Sequence, residues 1–255
     1  MRACLGRSTY IDVGAKSLNK ASTAGAAMPK KLSKEDKLIR ASGYRQVSPN
    51  PKGFSGISGK DLHPMQQALM TRNVEHAVRS ASPDEVRQGM DWYKRAHDVA
   101  NEVGRGNVRK GAGIIAALSP QTEWTENVRM ARQLADTGNA TGYITRAEVG
   151  KAKRILEGED PETVLPMQAK TGHFFRNIND PSDPSAVTID RHAHDLAMGR
   201  RYGANPRALG AIGRYQTFVG AHMSATHRLS DMNLVPNQTQ AISWVRWRNL
   251  HGLKD

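Results

Sequence analysis

One cysteine, Cys4, in 255 residues leaves no disulfide framework and no cysteine-built zinc or iron–sulfur site. That fits an intracellular, reducing compartment. Aromatic residues make up 5% of the chain and hydrophobic residues 38%, too little to pack every residue, so part of the length is expected to lie outside a core. No run approaches the ~20 apolar residues of a membrane span, and the N-terminus has no apolar secretory core. No stretch alternates apolar and polar residues long enough for a strand, which points to an all-α protein. Acid is scarcest at the start. Residues 1–60 carry 12 Lys and Arg against 3 Asp and Glu, whereas residues 61–255 carry 25 against 21. A net charge of +13 concentrated this way suits a polyanion such as double-stranded DNA, or serves only to keep a tail solvated.

Residues 1–60 are rich in Gly, Ser, Ala and Lys, and Ser48 to Lys60 reads as a linker. This part is expected to be a basic, disordered tail with one short helix from Ser33 to Ala41. Residues 61–255 read as the helical domain. Leu62, Met65, Leu69, Val74, Ala77 and Val78 share one helix face, and Ser82-Pro83-Asp84-Glu85 is a capping signal for the next helix, which ends near Gly104. Asn107 to Leu118 predicts an apolar helix whose small residues allow close packing. Further helices are expected over Glu123 to Ala135, Thr145 to Leu156, Lys170 to Ile178, Pro206 to His227 and Thr239 to His251.

The stretch from Leu165 to Gly199 carries the chemistry. The turn Met167-Gln168-Ala169 leads into a helix that starts at Lys170. An Asp/Pro/Ser loop and the apolar approach Ala186-Val187-Thr188-Ile189 then lead to Asp190 at the start of another. An amine and a carboxylate at two helix starts can face one cleft. Lys170 reads as a nucleophile if desolvation lowers its pKa, or as a solvated surface lysine. Asp190 reads as a stabiliser of positive charge or as an N-cap, and the two are compatible. Asp190, His192, His194 and Asp195 look metal-like, but positions 192 and 194 do not share a helix face. A closed metal site would need ligands from elsewhere, so neither metal nor cofactor is expected. Trp124, Trp244 and Trp247 could stack on a base or pack in the core. Arg200, Arg201, Arg246 and Arg248 could touch phosphates or merely be solvated.

Three segments in order resemble the helix-hairpin-helix DNA glycosylase superfamily, most closely its endonuclease III-like members. Gly113-Ile-Ile-Ala-Ala-Leu-Ser-Pro-Gln121, followed by Asn127 and Ala131, looks like the apolar helix that ends in L-S-x-Q. Leu165-Pro166 through Lys170-Thr171 looks like the end of the hairpin with its catalytic lysine. Val187-Thr-Ile-Asp190-Arg-His192 is similar to the segment with the essential aspartate. The resemblance covers roughly residues 100–252 and implies a two-lobed helical domain that flips a base out of DNA and acts at its N-glycosidic bond, with strand-nicking lyase activity. Lys170 and Asp190 would be catalytic. Ser119, Gln121, Met167, Gln168, Ala169, Thr171 and His192 would contact DNA or the base, Gln121 filling the gap the base leaves. Where the family's hairpin has glycines, this chain has Met167-Gln168-Ala169 and one residue fewer. A divergent phage branch looks like this, and such branches resemble enzymes acting on hypermodified thymine in phage DNA. Base modification on the same fold, or a non-catalytic DNA- or virion-associated protein, are the alternative readings.

Overall fold

The computed structural model describes residues 33–48, 64–142 and 144–253; the tail reading over residues 1–32 and 49–60 lies outside the described residues. All regular structure there is helical, and no strand occurs among the described residues. The helices are α1 (Lys34–Ala41), α2 (Pro64–Arg79), α3 (Pro83–Val103), α4 (Val108–Ala117), α5 (Trp124–Thr137), α6 (Arg146–Leu156), α7 (Pro161–Val164), α8 (Lys170–Asn179), α9 (Arg191–Ala197), α10 (Ile212–Arg228) and α11 (Pro236–Leu250). None is long and apolar enough to cross a membrane.

The starts follow local chemistry. Ser82 Oγ accepts from Glu85 N (3.3 Å), and Glu85 Oε2 accepts from Ser82 N (2.7 Å), with Pro83 in the first turn. Orphan donors at the helix end are thereby satisfied. Ser33, Asn107 and Thr145 cap α1, α4 and α6 one-sidedly, by the side-chain oxygen alone. The sequence expectation fails at α10, which begins at Ile212 rather than near Pro206. Arg207 is drawn to Asp195 by two bonds of 2.8 and 2.7 Å, and Ala208 takes a left-handed φ of 53°, so the chain cannot coil before Ala211. The four-residue α7 carries too few residues for periodicity to show it.

Two apolar clusters sit side by side within the unit Ser33–Asp255. One surrounds α4, whose Ile114, Ile115 and Leu118 pack with Phe174, Phe175 and Ile178 of α8 and with α3, α5 and α6. The other joins α2, α9, α10 and α11 around Phe218, Tyr215 and Trp247. Helices α3 and α11 tie the two together. A Cβ on Gly89 would lie 2.5 Å from the Ile242 backbone, so this helix crossing needs glycine.

Residues 33–48, which composition groups with the tail, are built into the second cluster. Ile39, Tyr44 and Val47 are buried there, and Tyr44 meets His76 and Trp247 edge-on. Asn73 accepts from Arg45 N (2.9 Å) and donates to Arg45 O (2.7 Å) and Ala197 O (2.9 Å), while Val47 N donates to Met198 O (3.0 Å). The short helix expected from Ser33 to Ala41 forms as α1, but the spacing of Ile39, Tyr44 and Val47 carries no periodic signal of the packing they make.

Candidate active site

The approach to Asp190 explains its placement. Residues 186–189 are buried and irregular, with no ladder partner, so their backbone groups must be satisfied by side chains. Val187 N donates to His173 Nδ1 (3.1 Å), Ile189 N donates to the Tyr215 hydroxyl (2.9 Å), and that hydroxyl donates to Val187 O (3.2 Å). The Asn177 amide, turned to satisfy its neighbours, donates to Ala186 O (2.9 Å) and accepts from Thr188 N (3.2 Å). Burial pushes His173 down to about 4, which keeps the ring neutral and Nδ1 able to accept. Sequence reading missed all three supports, because a buried polar residue on a helix face looks like any other until its partner is known. Tyr215→Phe leaves Ile189 N–H and Val187 C=O unpaired, and the expected loss, read from denaturant midpoints, is about 1–3 kcal/mol for each group left bare.

Asp190 caps α9. Its Oδ1 accepts from His192 N (2.9 Å) and Ala193 N (2.8 Å), and its Oδ2 accepts from Trp244 Nε1 (2.9 Å). The cap therefore uses one oxygen and leaves the other directed at α11. His192 is half-buried beside it, its Nε2 accepting from Arg191 Nε (3.2 Å) and its ring 6.3 Å from Trp244.

Lys170 opens α8, whose N-cap Ala169 has no side chain to offer the free N–H groups. The half-buried amine donates to Ser119 O at 3.5 Å. Burial holds its pKa below the ordinary lysine range; the Asp190 carboxylate opposes that fall and Arg191 adds to it. A cation at the positive end of a helix is disfavoured as well, which acts in the same direction. The turn before α8 folds tightly. Ala169 N donates to Pro166 O (3.0 Å), and a Cβ on Gly172 would sit 2.3 Å from the Met167 Cα, so only glycine lets the turn close on the helix. Met167 and Ala169 are half-buried and Gln168 is exposed, its carbonyl accepting from Gln216 Nε2 (3.4 Å).

Ser119 lies with Lys170. It is buried, and its hydroxyl has no hydrogen-bond partner among the described residues; the Thr171 hydroxyl is in the same state. Buried hydroxyls without a partner are uncommon in folded proteins. Gln121 is exposed in the loop between α4 and α5 and has a left-handed φ of 58°, a strained state for a residue that is not glycine. It belongs to the loop that carries Ser119 rather than to the Lys170–Asp190 pair.

An aromatic wall flanks the pair. Trp92 packs against Trp124 (5.1 Å between centroids), Phe174 (6.0 Å) and Trp244 (6.3 Å), and the Arg248 guanidinium lies 4.4 Å above Trp244. The three tryptophans of this wall are half-buried, and Trp92 was not among the residues the sequence singled out. Trp247 is wholly buried and belongs to the core. His194 and Asp195 turn inward to Arg207, Arg214 and Tyr202 N, so the histidines of DRHAHD diverge. No group of three or more His, Cys, Asp or Glu among the described residues is arranged to hold a metal. Of the other arginines, Arg201 pairs with Glu35 (2.6 Å), Arg246 with Glu85 (3.6 Å), and Arg200 stacks on Tyr202 (4.7 Å).

A separate surface cavity of about 540 Å³ lies between α5 and α6, lined by Ala140, Ile144, Val149 and the cations Arg146 and Lys153 among others, and shares none of these side chains. Neither the curated proteins nor the solved structures contain a match to this chain. A family model described as "Family of unknown function (DUF7178)" matches residues 58–251, and the chain belongs to that family.

Proposed function

We propose that this protein is a DNA base glycosylase-like enzyme that extrudes a modified or damaged base, most simply a pyrimidine, and acts at its N-glycosidic bond. The observation that carries the reading is the placement of a desolvated Lys170 at the start of α8 and of Asp190 at the start of α9, where Asp190 is bonded to Trp244 of an aromatic wall. The resemblance supports it, and in this reading the two apolar clusters would be the two lobes, with α7, the Met167–Ala169 turn and α8 as the hairpin. Duplex DNA is the partner, held through basic surface, and the protein would act inside a cell, the host cytoplasm for a phage-borne enzyme.

In this reading the neutral Lys170 amine attacks C1′. The C1′–N bond breaks, its electron pair leaves with the base, and the base nitrogen takes up a proton. The amine gives up a proton as the C1′–O4′ bond breaks and O4′ takes one up, leaving an imine. Loss of a C2′ proton then forms a C2′=C3′ bond and expels the 3′-phosphate with the C3′–O electron pair. Asp190 stabilises positive charge at C1′ as the bond breaks. The missing hairpin glycines favour a different reading, a non-catalytic DNA- or virion-associated protein on the same fold, and a phage thymine-modifying enzyme is the other alternative.

Duplex DNA carrying uracil, thymine glycol or hydroxymethyluracil, incubated with the protein and digested to nucleosides for mass spectrometry, separates these. A free base or abasic site that vanishes with Asp190→Asn supports the glycosylase. A mass-shifted nucleoside with an intact glycosidic bond supports modification. Salt-sensitive binding with no change in any nucleoside would favour a binding protein.

The lysine also predicts a pH effect. Its folded-state pKa is lower than its unfolded value of about 10.4. At neutral pH the unfolded chain therefore holds that proton more readily, and Lys170 costs stability that is recovered as pH rises past the unfolded value. Lys170→Met is expected to melt at or above the wild-type temperature at pH 7, with the difference closing near pH 10.5. Base release should rise with pH as the free amine accumulates.

A further inference from the structure

We infer that Trp244 is the positioning residue of Asp190, and that its indole N–H, more than its ring face, is what the site requires. The inference rests on the glycosylase-like reading. Asp190 Oδ1 is tied to the His192 and Ala193 N–H groups, which anchors the carboxylate at one corner only. Rotation about the last side-chain torsion of an aspartate is soft, so a one-cornered anchor lets the other oxygen swing. Trp244 removes that freedom with a charge-assisted bond of 2.9 Å to Oδ2.

The indole is itself held. It is half-buried on α11, packs 6.3 Å from both Trp92 and His192, and carries Arg248 on its face at 4.4 Å. Tryptophan has two side-chain torsions, and here neighbours restrict both. The Asp190 carboxylate is thereby fixed from α9 and from α11 at once. Those helices meet in the second apolar cluster, whereas Lys170 stands on a helix of the first. A small change in that link would move the carboxylate relative to the amine, and misplacement of about 1 Å is enough to cost roughly 100-fold in rate.

The test uses Trp244→Phe, which keeps a ring and removes the donor, and replacement of Trp244 by benzothienylalanine, which keeps the bicyclic shape and puts sulfur where the N–H stood. The substrate is whichever duplex the wild type converts to a free base. The expected result is a single-turnover rate lowered by about 10- to 100-fold, with DNA affinity within a factor of ~3 of wild type, for both variants. In an Asp190→Asn background, Trp244→Phe should produce no further loss. The indole N–H resonance of Trp244, assigned by its disappearance in Trp244→Phe, should shift and exchange faster in Asp190→Asn. Base release at the wild-type rate by the sulfur analogue would overturn the inference while leaving the glycosylase reading intact, and so would equal losses of rate and affinity, which would mark Trp244 as a surface for the base. An unmoved indole resonance in Asp190→Asn overturns it too. Failure of the wild type to release any base removes the reading and the inference with it.

Discussion

Asp190→Asn is expected to lower the rate of base release by about 100- to 1,000-fold, the usual effect of removing one aligned electrostatic group from a site. The fold should survive. Asparagine is as good an N-cap as aspartate, so its side-chain oxygen can keep the bonds to His192 N and Ala193 N that the carboxylate makes at 2.9 and 2.8 Å. Its amide then meets Trp244 Nε1 donor to donor, and the negative charge that raises the Lys170 pKa is gone. Asp190→Ala tests the other half of the residue's work. It removes the cap as well, costing about 1 kcal/mol, or about 2–4 °C in a domain of this size. Melting curves of the two variants separate the structural role from the chemical one. Lost activity at an unchanged melting temperature in the asparagine variant assigns the loss to charge.

The second large effect is on folding. A chain cut back to residues 58–255, close to the span the family model matches, is expected to lose cooperative unfolding. It would lack Ile39, Tyr44 and Val47, each buried in the second cluster, and would leave Trp247 and Met198 without their partners in that segment. Burial of the three side chains contributes roughly 5–9 kcal/mol, comparable with the whole stability of a domain, about 5–15 kcal/mol. Circular dichroism melts and amide proton dispersion would show a broad, poorly ordered state. A cut at residue 33 removes none of these contacts, and a sharp transition should remain. Tyr44→Ala is the graded version, with an expected loss of about 3–5 kcal/mol.

Much of the helical order was legible because capping and periodicity act locally. Ser82 to Glu85 and Thr145 to Glu148 form the caps their spelling implies. The starts of α8 and α9 fall where the turn and the apolar approach put them, with Lys170 and Asp190 at the first turn or cap. Supports drawn from distant parts of the chain were not legible. Tyr215 reaches residues 187 and 189 across more than twenty positions, and Trp244 reaches Asp190 across 54, distances over which no local pattern carries information. The helix of segment 33–48 was legible but its packing was not, since charge dominates its composition and Ile39, Tyr44 and Val47 reveal their role only against the second cluster.

The most direct measurement is borohydride trapping on duplex DNA carrying thymine glycol or hydroxymethyluracil, with wild type, Asp190→Asn and Lys170→Ala compared on a denaturing gel. The wild type should give a covalent protein–DNA adduct, Asp190→Asn a much fainter one, and Lys170→Ala none. An adduct that persists at wild-type yield in Lys170→Ala would contradict the assignment of the attacking amine to Lys170.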